Sequence, residues 1–143
     1  MDSESMRRRV AAAPVARLAT IGRDGRPRAR PVCFALVGDD VVTAVDDVKP
    51  KSGGRLARLD DIAANPWAEV LVDHYSDDWS QLWWVRISGR AEVLALDGAE
   101  DAVRALKAKY RQYAAQPPPG PVIRVQGDWW RGWSAAGSAG GTG

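Results

Sequence analysis

A chain of 143 residues with 27% charged and 45% hydrophobic content suits one soluble globular domain whose core needs no covalent staples. Its net charge of +2 exerts no strong pull on nucleic acid or membrane, and its one cysteine, Cys33, excludes an internal disulfide. No apolar run approaches the roughly 20 residues that span a bilayer and no signal-peptide core stands near Met1, so a cytoplasmic protein is expected.

Residues 3–13 read as a short helix: Ser3 or Ser5 can cap it, Met6, Val10 and Ala13 share one face, and Pro14 ends it. Arg7, Arg8 and Arg9 fall mostly on the solvated side; three arginines without a second basic block do not make a nucleic-acid arm. Apolar alternation over 15–21 predicts a strand, and Gly22-Arg23-Asp24-Gly25 a hairpin turn. The return strand is 27–37. Within it Arg28 and Arg30 alternate with Ala29 and Pro31, which points both guanidinium groups to one face while PVCFAL enters the core. Pro31 lacks a ladder donor, which places this point at an edge or bulge and leaves backbone groups free to meet a ligand.

Gly38-Asp39-Asp40 closes a second hairpin. The stretch 41–66, VVTAVDDVKPKSGGRLARLDDIAANP, then runs from a β-branched strand through Lys49, Pro50, Lys51 and a Ser-Gly-Gly turn into a helix over 55–64. Free N–H groups and the positive end of a helix dipole, beside two ammonium groups, make an anion site suited to phosphate. Two solvated lysines flanking an ordinary turn are the plainer alternative. Leu56, Leu59, Ile62 and Ala63 keep helical spacing until Asn65-Pro66 stops the helix.

Residues 67–74 form a strand whose apolar AEVLV implies burial on both sides. His74, the only histidine, has no second histidine or cysteine nearby and is not read as a metal ligand. An acidic, aromatic loop leads into LWWVRISGRAEVLAL (82–96), a strand long enough to serve two parts of a barrel, with Gly89 as a bulge or bend. Asp97 caps a last helix over 98–113 that turns Val103, Leu106 and Tyr110 inward. A proline connector and two short strands, 121–125 and 128–133, complete a domain 1–134, and the small-residue tail 135–143 is expected to be flexible. Antiparallel strands interrupted by helices that do not alternate with them indicate a small β-barrel with helices packed outside.

Four stretches, LATIGRDGRPRARPVCFAL, TAVDDVKPKS with its helix RLARLDDIAANP, VLVDHYSDDWSQLWWVRISGRAEV and GPVIRVQGDWWRGWSA, span nearly the whole chain. Through them the sequence resembles the flavin- and deazaflavin-binding split β-barrel family of pyridoxamine 5′-phosphate oxidase. HYSDDW followed by LWWVR and the terminal RGWSA resemble its actinobacterial branch of F420-dependent oxidoreductases. The resemblance implies a mainly β (α+β) split barrel, antiparallel and Greek-key-like, of six or seven strands with peripheral helices. It further implies F420 or, alternatively, FMN as cofactor, a homodimer with its sites at the interface, and hydride transfer to a planar, conjugated small molecule. No nucleic-acid or membrane partner is expected.

Matched to this sequence, Lys49 and Lys51 would hold the cofactor phosphate, with Arg55 and Arg58 as supplements. Arg30, Pro31, Val32 and Cys33 would neighbour the ring, largely through backbone groups, and Thr43, Ala44 and Val45 would border the ribityl chain. Trp83, Trp84 and Trp133 would reach the ring or the partner subunit, although adjacent strand residues such as Trp83 and Trp84 face opposite ways and cannot both stack on one ring. Trp129 stands where relatives often carry a basic residue. His74, Tyr75, Tyr110 or water would supply any proton. Two rival readings remain: a non-catalytic flavin-, deazaflavin- or haem-binding protein, and a nucleic-acid barrel using Arg28, Arg30 and the tryptophans as a basic stacking surface.

Overall fold

Alternating apolar residues between turn residues dictate strands. In the computed structural model, which describes residues 1–45 and 57–136, they form β1 (Ala16–Ile21), β2 (Pro27–Val32), β3 (Ala35–Val37), β4 (Asp40–Ala44), β5 (Trp67–His74), β6 (Trp83–Leu94), β7 (Val122–Val125) and β8 (Trp129–Ser134). All pair antiparallel in the order β2-β1-β5-β6-β7-β4-β3, with β8 alongside β6. This is the mainly β split-barrel class expected from the sequence, with eight strands among the described residues rather than six or seven.

The added strand comes from the expected return strand 27–37, which breaks at Cys33 and Phe34 into β2 and β3. Phe34 is fully buried and leaves the ladder there. β2 and β3 lie at opposite ends of the strand order although they are consecutive in the chain, so the crossover at 33–34 closes the sheet on itself. Pro31 stands on β2, whose only strand partner among the described residues is β1, so no second ladder there needs its donor. Gly25, with φ of 81°, provides the left-handed residue of the β1–β2 turn.

β6 does serve two parts of the barrel: beyond β5, its residues 83–88 pair with β8 and 91–94 with β7. Gly89 is not a bulge, because the β5 register runs through it unbroken. It is a point of close approach. A Cβ there would overlap the carbonyl oxygen of Gln126, where the chain passes from β7 to β8. Nor is β5 buried on both sides: Ala68, Val70 and Val72 point into the core, while Trp67 and Leu71 remain 45% and 38% exposed on the outer face.

Among the described residues, four helices flank the barrel. In α1 (Ser3–Ala12) the N-cap is Asp2, not a serine, with its carboxylate accepting from Ser5 N–H, and Met6 and Val10 plug the core. α2 (Ala57–Ala64) buries Ile62 together with Asp61, whereas Ala63, expected inward, is exposed. The expected single helix 98–113 is divided. A 3₁₀ turn at 96–98 precedes α3 (Glu100–Lys109), Tyr110 is extended, and α4 (Arg111–Ala115) follows; Ala99, not Asp97, stands at the α3 N-cap. Leu106, Ala102 and Tyr113 pack α3 and α4 against Val42, Ala44 and Val122 of the barrel wall. No helix among the described residues is long and apolar enough to cross a membrane.

Candidate functional site

The crossover between β2 and β3 is held by side chains rather than by a ladder. Thr43 Oγ1 donates to the Cys33 carbonyl at 2.6 Å. The Tyr110 hydroxyl accepts from Phe34 N–H at 3.0 Å and lies within donating distance of the Pro14 carbonyl, 2.8 Å, and the Phe34 carbonyl, 3.0 Å. Burial pushes the Tyr110 phenol up, and the Phe34 backbone contact pulls it partly back. Beside it, the Lys109 ammonium sits 3.6 Å from the centre of the Phe34 ring, with no hydrogen-bond partner among the described residues. Desolvation pushes Lys109 down to about 8, opposed by the pull of Cys33.

Around this crossover the structure gathers part of the expected ring and ribityl neighbours. Cys33 is exposed and Thr43 touches its carbonyl, so the ends of β2 and β4 meet. Ala44 and Val45 are buried in the core; the Val45 N–H donates to the Pro121 carbonyl at 2.9 Å, and Ala44 pairs with Val122 of β7. Pro31 points to the outer face of the sheet, whereas Arg30 and Val32 share the opposite face with Leu18 and Ala16. On its other side, the β2 backbone has no strand partner among the described residues. Arg58 is half-buried on α2; Lys49, Lys51 and Arg55 lie outside the described residues.

Arg28 and Arg30 do share a face, as expected, but it is the inner one. The Arg28 guanidinium reaches Asp61 at 3.2 Å and Asp24 at 4.0 Å. Asp61 is 2% exposed and its Oδ2 accepts no hydrogen bond among the described residues, so the Arg28 contact is an ion pair by proximity that draws Arg28 toward a buried carboxylate and away from a nucleic-acid surface.

Across the outer face, the registers place Pro31, Arg17, Leu71, Arg86 and Arg131 in one row from β2 to β8. Beside it lies an open apolar hollow of about 430 Å³, lined by Leu71, Tyr75, Leu82, Trp84 and Trp133, with His74, Trp83, Asp73 and Arg86 at its margin. Trp84 and Trp133 are cross-strand partners, and Arg86 covers the Trp84 ring at 5.5 Å. Ion pairs from Arg17 to Asp73 at 3.6 Å and from Arg86 to Glu69 at 3.5 Å order the polar groups around it. Trp83 turns the other way, toward α1, and its ring lies near the Arg9 guanidinium and the His74 imidazole. Trp129, 60% exposed, stands 6.3 Å from Trp67 farther along the same outer face.

Sequence reasoning did not single out Lys109 or Asp61. Lys109 follows Ala102 and Leu106 and precedes Tyr113 at helical spacing, an inward position that its charge disguises. Asp61 adjoins Ile62 at the barrel-facing side of α2, and only the tertiary position of Arg28 identifies its partner.

A family model described as pyridoxamine 5′-phosphate oxidase matches residues 3–134. Among solved structures, a conserved hypothetical protein from Mycobacterium tuberculosis superposes with a TM-score of 0.76 at 19% identity, covering 94% of this chain and 86% of that one. An FAD-binding protein from Mesorhizobium loti gives 0.71 at 20% identity, covering 92% and 94%. A haem-binding protein from Mycobacterium smegmatis gives 0.69 at 20% identity, covering 96% and 59%. At these identities the likeness is one of fold. No curated protein matches the sequence. Because the family match takes in all eight strands, the chain belongs to the pyridoxamine 5′-phosphate oxidase family.

Proposed function

We propose that this protein is an F420-dependent oxidoreductase that passes hydride between the reduced deazaflavin and a planar, conjugated small molecule, and that it works as a cytoplasmic homodimer. The observation that carries the reading is the side-chain-held crossover, where a strand edge without a partner strand among the described residues ends at exposed Cys33 and adjoins an outer face bearing a tryptophan-lined hollow. An edge of this kind offers backbone donors and acceptors to a flat heterocycle, and an apolar hollow with a few polar groups at its margin suits a conjugated substrate. A bound deazaflavin supplies the two-electron carrier.

The chain's own contributions are positional. Thr43 and Tyr110 hold the backbone at 33–34 in place, and Lys49 and Lys51, with Arg55 and Arg58, supply positive charge for a phosphate. Tyr110 is spent on this task, since its hydroxyl is already engaged by Pro14 and Phe34. Among the described residues that leaves His74 and Tyr75, both beside the hollow, to move a proton to the substrate. Exposed Trp67, Leu71 and Trp129 supply an apolar outer face for a second copy, which would also shut water out of the hollow.

An FMN-dependent enzyme would use the same edge and lysines. A non-catalytic flavin-, deazaflavin- or haem-binding protein is the other reading, supported by the FAD- and haem-binding proteins that share the fold and by exposed His74 beside the hollow as an axial ligand. Titration with F420, FMN and haemin separates these, with wild type compared against Lys49→Ala/Lys51→Ala. F420 binding that the double variant loses, together with turnover of a conjugated acceptor, supports the reductase; haemin binding lost in His74→Ala supports the storage reading. Binding of neither F420 nor FMN overturns the enzyme.

A further inference from the structure

A second cavity, of about 420 Å³, adjoins the hollow and differs from it in charge. Arg8 and Arg9 of α1, His74, and Ser80 and Gln81 of the short turn before β6 line it. Among the described residues no carboxylate lines it, whereas Asp73 stands at the margin of the adjoining hollow. Neither Arg8 nor Arg9 forms an ion pair among the described residues. Asp2, which senses Arg8, is occupied in capping α1: hydrogen bonds from Ser5 hold its carboxyl below the usual range, and Arg8 contributes least.

Trp83 joins the two cavities. Its ring lies 5.6 Å from the Arg9 guanidinium and 6.5 Å from the His74 ring, which is inclined to it by 22°. Leu82, Trp83 and His74 line both spaces, so an apolar, aromatic chamber and a cationic one adjoin along these three residues. A guanidinium packed against an aromatic face loses part of its water and binds an oxyanion more strongly for it.

We propose that the two cavities form one site for an aromatic carboxylate, with the ring in the Trp84–Trp133 hollow and the carboxylate between Arg8, Arg9 and His74. Binding requires no cofactor. Only the acid's role as hydride acceptor rests on the reductase reading above.

Calorimetric titration of the full chain, without cofactor, tests this with 2-naphthoate and its neutral isostere 2-naphthamide. Wild type should bind the acid roughly ten- to a hundred-fold more tightly, the ratio that a charge-assisted hydrogen bond gives. Arg8→Gln/Arg9→Gln should lose the preference while still binding the amide, Arg8→Lys/Arg9→Lys should keep part of it, and Trp84→Ala should weaken both probes. Equal affinity for acid and amide in wild type, binding of neither, or a preference that survives the glutamine pair would overturn the proposal. Should the glutamine pair not fold, loss of the preference in wild type at saturating inorganic phosphate supports the site, and an unchanged preference overturns it. Parallel F420 and FMN titrations report on the lysines: if they fail while naphthoate selectivity holds, the reductase reading falls and the acid site stands.

Discussion

The Tyr110 hydroxyl accepts the Phe34 backbone N–H at 3.0 Å across a separation of 76 residues, so the interruption between α3 and α4 fastens the crossover that closes the barrel. A helix continuing unbroken through Tyr110 would not present its side chain in this way. Tyr110→Phe keeps the ring and removes the oxygen. It leaves a buried donor unsatisfied, and the expected loss is about 1–3 kcal/mol of unfolding free energy. Urea unfolding checks this; an unchanged midpoint would show that the crossover is held by Thr43 and packing alone.

Lys109 gives the protein a stability that depends on pH with a defined sign. Burial lowers its folded pKa to about 8 from an ordinary 10.5. Between those values the unfolded chain holds a proton that the folded protein has released, so stability rises with pH through that window. Below it, the charged form is a burden on the fold. Lys109→Met should therefore melt higher than wild type at pH 7, and the gap should narrow as pH approaches 10. Melting curves of both proteins across that range decide it, and a gap that stays constant contradicts the sign.

Gly89 is required by the path of the β7–β8 connection, not by its own dihedral angles. Any Cβ there meets the Gln126 carbonyl, which is backbone and cannot rotate away. Gly89→Ala should cost about 1–3 kcal/mol, the usual penalty for overpacking. Thermal denaturation would reveal it; a substitution without effect would mean that the β7–β8 connection yields freely.

Arg28 and Asp61 tie the β2 edge to α2. Arg28→Gln removes the ion-pair partner of a buried carboxylate and should cost about 1–3 kcal/mol. Asp61→Asn in the same chain should recover part of that loss, because the orphaned charge goes with it. A double-mutant cycle in urea measures the coupling, and additive losses would dissolve the pair.

Local chemistry made several features legible: the glycine turn at Gly25, the edge marked by Pro31, the span of β6, and Trp83 facing away from Trp84. Others depend on long-range partners. PVCFAL reads as continuous strand because nothing local reveals that Tyr110 captures Phe34. The helix 98–113 reads as unbroken for the same reason. AEVLV of β5 reads as doubly buried because it is mainly apolar, yet Leu71 faces outward beside Trp67, where composition says nothing about what covers them. Arg28 looked available because its acid lies on a separate helix. Lys49, Lys51 and Arg55 lie outside the described residues, so their phosphate role rests on the sequence alone.

β6 is threaded through both halves of the sheet, between β5 on one side and β7 and β8 on the other. Neither half can unzip without it, so amide protons at Val85, Ile87 and Ala91 should exchange only when the whole molecule opens. β2 and β3, each laddered to one strand among the described residues, form a seam latched by two hydroxyls. Breathing should begin at that seam. The part of the barrel with the least resistance to opening is then the part that would admit a flat ligand, and a bound ligand would act as its rivet.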